Sequence, residues 1–240
     1  MYNFFPKIYD EFMEHADYNK WKDLVLNIAK KYSISQDTVL DLGCGTGSLL
    51  IKLKDCFSKL YGLDISENMI KKAKEKAKTN ETNIKFFHDD MVTFEMKEKF
   101  DVIVSFFDTL NHILSEEELL LHFETVKKAL LNDGIYIFDY VDRDFMNEMF
   151  KNNIFVDERD NFTCIWQLSQ EEEIDFIEST YFVKNKNNTY DKTREVYTKK
   201  IYSIGELKNI IGKSGLKILE NNKNSQIAGD RWIFVLTKKE

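Results

Sequence analysis

Val39-Leu40-Asp41-Leu42-Gly43-Cys44-Gly45-Thr46-Gly47 decides the fold of this 240-residue chain. Thr38 to Leu42 reads as a short apolar strand that runs into a glycine-rich turn. Gly47 to Lys54 then carries Leu49, Leu50 and Leu53 at helical spacing. Glycines at alternate positions let a backbone turn tightly and approach a ligand with no Cβ in the way. The helix start behind them offers N–H groups that lack intrahelical partners. A dinucleotide-binding turn would read G-x-G-x-x-G/A, and from Gly43 its third glycine would fall on Ser48. The acid Asp41, ahead of the turn, would repel a pyrophosphate but suits the ammonium of an amino-acid-bearing ligand. A dehydrogenase is disfavoured on both counts.

Outward from the turn, strands and helices alternate. Upstream, Tyr18 to Lys31 places Trp21, Leu24, Val25, Ile28 and Ala29 near helical spacing. Downstream, Leu60 to Leu63 is a second strand ended by Asp64, and Ser66 caps a helix whose buried stripe is Met69, Ile70, Ala73 and Ala77. Ile84 to Phe87 and Asp101 to Phe107 are the third and fourth strands. Ser115 with Glu118 forms a capping-box pattern ahead of Leu119, Leu120, Phe123, Val126 and Leu130. Gly134 punctuates before a fifth strand, Ile135 to Val141. This order predicts an α/β fold with a Rossmann-like, doubly wound sheet that is mostly parallel.

The pattern changes between Ile154 and Tyr202. Segments rich in Phe, Ile, Val, Thr, Trp and Tyr are separated there by polar turns at Asp160-Asn161 and Lys186-Asn187-Asn188. They predict an inserted antiparallel β lid. Ser203 and Glu206 repeat the capping box before Leu207, Ile210 and Ile211, and Gly212 and Gly215 close that helix. Leu216 to Leu219 and Arg231 to Thr237 follow as an antiparallel pair at the end of the sheet. The expected division is a ligand-binding domain from residues 1–150 and 203–240, with residues 151–202 inserted as the lid.

Composition narrows the partners. A formal net charge of −7 lowers the prospect of a nucleic-acid substrate, because phosphate contacts favour a basic face. No apolar run approaches the roughly 20 residues that span a bilayer. Met1 to Asp10 lacks the pattern of a signal peptide, so the expected location is cytoplasmic, with no membrane partner. Cys44, Cys56 and Cys164 are scattered and suggest neither a metal site nor a disulfide framework.

Two further acidic positions follow Asp41 at strand ends, where open α/β sheets bind ligands. Asp64 comes 17 residues after Gly47, where a carboxylate can accept hydrogen bonds from both ribose hydroxyls of an adenosine. Asp89-Asp90-Met91 follows the third strand, where an acid can take the adenine amino group and an apolar side chain can cover the ring.

With these motifs in place, the chain resembles the class I S-adenosylmethionine-dependent methyltransferases from about Tyr2 to Lys238. Val39 to Gly47 matches their glycine motif, Tyr61-Gly62-Leu63-Asp64-Ile65-Ser66 the acidic strand end, and Asp89-Asp90-Met91 the adenine-side motif. Tyr9-Asp10, Tyr18, Trp21, the loop Phe107-Asp108-Thr109-Leu110-Asn111-His112 and the β-rich insertion resemble a bacterial small-molecule subgroup that is similar to the amino-sugar N-methyltransferases. The resemblance implies S-adenosyl-L-methionine as cofactor and S-adenosyl-L-homocysteine as product. It implies that Asp41 binds the methionine ammonium, Asp64 the ribose diol, and Asp90 (or Asp89) the adenine N6. Gly43, Cys44, Gly45 and Gly47 would line the cofactor, with Ile65, Met69, Met91, Ser105 and Phe106 near it. Tyr18 and Trp21 would close over the methionine end, although their spacing with Leu24 and Val25 equally fits core packing.

Methyl transfer from a sulfonium asks the protein chiefly to position the nucleophile and exclude water. The candidates beyond the fourth strand are Asp108, Asn111 and His112, with His112 as acceptor of an amine proton. His88 lies within a strand and His122 among the apolar positions of a helix, so neither stands out. Phe155, Phe162, Trp166, Tyr181 and Tyr197 are expected to line the lid or pack its sheet, and Arg159 or Arg194 to meet an anionic substrate. The expected partner is a small-molecule methyl acceptor, bound to a monomer or homodimer. Methylation of RNA or protein and a non-catalytic, cofactor-binding regulator are the competing readings.

Overall fold

The computed structural model describes residues 4–239. Met1, Tyr2, Asn3 and Glu240 lie outside the described residues, and with them the Tyr2 at which the family resemblance begins. In chain order, a 3-10 turn (Phe5–Lys7) leads into α1 (Tyr9–Phe12), α2 (Tyr18–Lys31), β1 (Thr38–Leu42), α3 (Ser48–Lys52), β2 (Lys59–Asp64) and α4 (Glu67–Thr79). Then come β3 (Ile84–His88), β4 (Phe100–Ser105), a 3-10 turn (Thr109–His112), α5 (Glu116–Ala129), β5 (Leu130–Tyr140) and α6 (Arg143–Met149). The antiparallel strands β6 (Ile154–Glu158), β7 (Phe162–Glu171), β8 (Ile174–Lys184) and β9 (Tyr190–Lys200) precede α7 (Ile204–Ser214), β10 (Leu216–Asn224) and β11 (Arg231–Lys238).

Seven strands form one sheet in the order β10-β11-β5-β4-β1-β2-β3. The chain starts at β1, steps outward through β2 and β3, and returns to β4 on the other side of β1. Asp41 on β1 is therefore flanked by Gly62 of β2 and Val104 of β4, both parallel neighbours. This reversal opens the crevice at the strand carboxyl ends in which such sheets hold ligands. The expected α/β architecture is present, with β11 antiparallel to both β5 and β10.

Alternation along β1 explains the two-sided core. Leu40 and Leu42 face α5 and α7, in a cluster with Phe100, Phe123, Phe138 and Phe234. Val39 faces α2, α3 and α4, with Trp21, Leu50, Ile70 and Val102. Strands β1 and β4 are buried along their whole length and read as mostly apolar rather than alternating, with Asp41 and Asp101 as exceptions. A third cluster joins the four-stranded sheet to the N-terminal segment: Phe5, Phe12 and Met69 pack with Phe162, Tyr181 and Tyr197.

Several boundaries differ from expectation for identifiable reasons. β5 begins at Leu130, because Gly134 continues the strand; a Cβ there would press on the Phe100 carbonyl, 2.6 Å away. β4 ends at Ser105, because Phe107 and Asp108 both turn to positive φ. The helix after the glycine turn shortens to five residues. Ser115 accepts from the Glu118 N–H, but the complete reciprocal capping box is found only at Ser203 and Glu206 among the described residues. Gly215, with φ +82°, ends α7, whereas Gly212 lies inside it. The short helices α1 and α6 were not expected from pattern.

Candidate functional site

The glycine turn is held from below by one carbonyl: the Gly43 and Cys44 N–H groups both donate to Leu63 O, at 2.8 and 2.9 Å. Gly43, Gly45 and Gly47 all have positive φ, a region that side chains with a Cβ rarely enter. A Cβ on Gly43 would also collide with the Thr109 side chain. The Gly45 N–H donates to Asp64 Oδ2 at 2.9 Å, and the Ser66 N–H to Oδ1 at 2.8 Å. Asp64 is thereby fixed against the turn, at the tip of β2.

Asp41 and Asp64 are both buried. Burial pushes the Asp41 carboxyl well above the usual carboxylate range, and the charge of Asp64 pushes the same way. Burial also raises Asp64, against the pull of the Ser66 and Gly45 N–H groups. With no cation beside it among the described residues, such a buried acid favours a positively charged ligand, which would restore its ionised form. The space beside Asp41 is bordered by Tyr9, Tyr18, Gly43, Thr46, Phe106 and Phe107. Trp21 lies behind it, fully buried, with its ring centroid 4.5 Å from Phe106 and 4.9 Å from Phe107. Its Nε1–H has no hydrogen-bond partner among the described residues.

Past β3, the Asp90 carboxylate accepts from the Val92 N–H at 2.8 Å, and the Asp89 N–H donates to Asp64 O at 3.2 Å. Asp90 and Met91 are half-buried and Asp89 is exposed. Ile65, 48% exposed, gives its carbonyl to the His88 ring. Ser105 donates to Leu42 O at 2.9 Å and ties β4 to the start of the turn.

On the far side of β4, an ion cluster supports the loop that carries His112. The Asp108 N–H donates to both carboxylate oxygens of Asp139, at 3.1 and 3.2 Å. Lys199 of β9 donates to the Asp108 carboxylate. Arg231 of β11 donates to Asp139 and stands 3.6 Å from Asp108. Burial alone would raise the Asp108 carboxyl, but Lys199 and Arg231 outweigh it and hold it below the usual range. His112 Nδ1 lies 2.9 Å from Thr198 O, so that nitrogen carries the hydrogen and donates. Burial, then the charge of Lys199, push the imidazole down to about 4 against the pull of Asp108. The ring is therefore neutral at physiological pH.

Residues 39–134 match a family model described as a methyltransferase domain. A relative from Geobacillus sp. (strain WCH70), whose name describes a methyltransferase, is 31% identical over 223 residues, spanning 91% of this chain and 90% of its own. The chain belongs to the class I S-adenosylmethionine-dependent methyltransferase family. A crystal structure of an S-adenosylmethionine-dependent methyltransferase from Clostridium acetobutylicum ATCC 824 shares the methyltransferase's fold, with a TM-score of 0.88 at 24% identity over 100% of this chain and 99% of that one. The dTDP-3-amino-3,6-dideoxy-α-D-glucopyranose N,N-dimethyltransferase of Streptomyces fradiae is 26% identical over 121 residues, covering 50% of this chain and 46% of that protein.

The methyltransferase brings Tyr18, Asp41, Gly43, Cys44 and Phe106 around one space, with Gly45 and Gly47 on the same turn and Asp64 of β2 hydrogen-bonded to it. Other expected residues are placed elsewhere. Met69 is buried in the third cluster, beneath the N-terminal segment. Arg194 lies on the exposed side of β9 and pairs with Glu178 at 3.6 Å, while Arg159 is engaged by Asp157 at 2.7 Å. Lys199, Arg231 and Asp139 were not singled out from sequence, because nothing local marks a lysine 91 residues from its acidic partner. Tyr9, quoted only as part of a family signature, borders the space beside Asp41.

Proposed function

We propose that this methyltransferase moves a methyl group to a nitrogen or oxygen atom of a small molecule, with residues 151–202 as a lid on a body formed by 1–150 and 203–240. The observation that carries the reading is the pair of buried acids at the glycine turn. Asp41 borders a small space that Tyr9 of the N-terminal segment also lines, Asp64 is hydrogen-bonded to the turn beside it, and that segment packs under the inserted sheet. What supports the cofactor is a buried acid with no cation, and a buried indole N–H with no partner, among the described residues, beside a glycine turn of positive φ that a Cβ would not fit. Asp41 would hold the ammonium, the Trp21 N–H suits the carboxylate, Asp64 the ribose diol and Asp90 the adenine N6, with Asp89 the less buried alternative. When bound, S-adenosylmethionine supplies a methyl carbon already activated toward in-line displacement.

The chain's own residues then position the acceptor. His112, neutral at working pH, can accept a hydrogen bond from it. Held at about 4, the ring is a weak base, so its proposed part is to orient an acceptor amine that arrives deprotonated. Asp108 is occupied by Lys199 and Arg231 and is assigned to positioning, holding the strained Phe107-Asp108 backbone beneath His112. The net charge of −7 supports a small acceptor over nucleic acid, and the Streptomyces fradiae relative is named for an amino-sugar substrate.

Incubation with methyl-labelled S-adenosylmethionine and panels of amines, amino sugars and hydroxyl compounds, beside RNA and protein, tests this reading. Label should enter a small molecule. His112→Ala should lower kcat by about 10² while S-adenosylhomocysteine affinity stays within about threefold. Label found only in RNA or protein would refute it.

A further inference from the structure

His122 sits on α5 with no exposed surface, among the apolar residues Leu119, Phe123 and Val126. Its ring is not an inert part of that stripe. Nδ1 is 2.9 Å from Met91 O, and Nε2 is 3.0 Å from the Tyr136 hydroxyl of β5. A carbonyl oxygen can only accept, so Nδ1 carries the hydrogen. Nε2 keeps its lone pair and accepts from Tyr136. Three residues on, Thr125 Oγ1 donates to Val92 O at 2.9 Å. Two successive carbonyls of the loop after β3 are thus gripped by side chains from one face of one helix.

That loop has no strand neighbour to fix it, since the pairing of β3 ends at His88. Its start is tied to β2 by the Asp89 N–H to Asp64 O; beyond that it has local ties, the Asp90 N–H to the Asp89 carboxylate, the Val92 N–H to the Asp90 carboxylate, and the Thr93 N–H to Asp90 O at 3.2 Å. Burial keeps the His122 ring neutral, against the pull of Met91 O and the Asp90 charge, so the donor and acceptor assignment is stable at working pH. Any buried histidine must have both ring nitrogens satisfied; what is particular here is that one of them grips the loop that carries Asp90 and Met91.

We propose that His122 is a positioning residue for cofactor selection: through Met91 O it holds Asp90 and Met91 where they distinguish the adenine base. This rests on the assignment of Asp90 to the adenine N6. Calorimetry with S-adenosylhomocysteine and S-inosylhomocysteine, which replaces the 6-amino group with a carbonyl, tests both at separate steps. The wild type should prefer the adenosyl compound by about tenfold or more, and Asp90→Ala should abolish the preference. His122→Gln, whose amide cannot stand where Nδ1 stands, should reduce the preference to within about threefold of unity. His122→Asn, whose amide nitrogen can, should retain it. A histidine with a merely structural role would weaken both ligands equally and leave their ratio unchanged. A wild-type ratio in His122→Gln, with Asp90→Ala behaving as stated, overturns the proposal alone. An unchanged ratio in Asp90→Ala overturns the adenine assignment and the proposal with it. Should the His122 variants fail to fold, Thr125→Val cuts the adjoining tie and should lower the ratio about threefold; no change there would count against the proposal.

Discussion

At the scale of single residues, two histidines show how burial converts a titratable group into a fixed one. His112 and His122 are both held near 4, burial being the first cause in each. A base whose folded pKa is depressed binds fewer protons folded than unfolded. Its contribution to stability is therefore intact above its unfolded pKa, near 6.5, and is lost as pH falls from there toward 4. For the fully buried His122 the loss amounts to about 2–3 kcal/mol at pH 4.5. Urea unfolding at pH 7 and pH 4.5 should show a decline in stability that is smaller in His122→Asn by about that amount. An equal decline in both would show that the ring does not titrate as its surroundings require. His112 stood out from the sequence because it ends a distinctive loop. His122 did not, because helical spacing marks it as buried but cannot show what each nitrogen touches.

At the scale of elements, the inserted sheet is anchored rather than loosely hinged. Arg143 of α6 makes two hydrogen bonds to Asp175 of β8, at 2.8 and 2.9 Å. His112 donates to Thr198 O of β9 at 2.9 Å, and Lys199 of β9 reaches Asp108 in the loop after β4. The N-terminal segment is tied to both the inserted sheet and the glycine turn. The Phe4 and Phe5 N–H groups donate to Glu195 at 2.7 and 3.2 Å, and Thr46 and Lys76 both donate to Asp10 at 2.6 Å. Lys199→Met leaves Asp108 with Arg231 alone. It should cost about 2 kcal/mol of unfolding free energy, with Lys199→Arg recovering most of it. A loss below about 0.5 kcal/mol would place this pair with ordinary surface ion pairs. The strands of the insertion were readable from alternation and turn residues. α1 and α6, of four and seven residues, are too short to display a period.

At the scale of the whole molecule, the glycine turn and the alternation around it sufficed for the α/β class, the inserted sheet and the antiparallel finish, because each rests on local periodicity. That Asp41, Asp64 and Asp90 stand at or just past the ends of consecutive parallel strands was legible from the order of elements. Illegible were the contacts that close the site: Tyr9 over the turn, and Lys199 and Arg231 on Asp108. They join segments that only tertiary packing brings together. Gly134 misled for a related reason, since close packing on the Phe100 carbonyl mimics a turn glycine in sequence. The central claim is that the turn and its buried acids bind S-adenosylmethionine, and calorimetry tests it most directly. The wild type should bind S-adenosylmethionine and S-adenosylhomocysteine but not NAD, and folded Asp64→Ala should lose at least about 100-fold in affinity for both. A folded wild-type protein that binds neither sulfur compound, or an Asp64→Ala variant that binds them undiminished, would contradict the account.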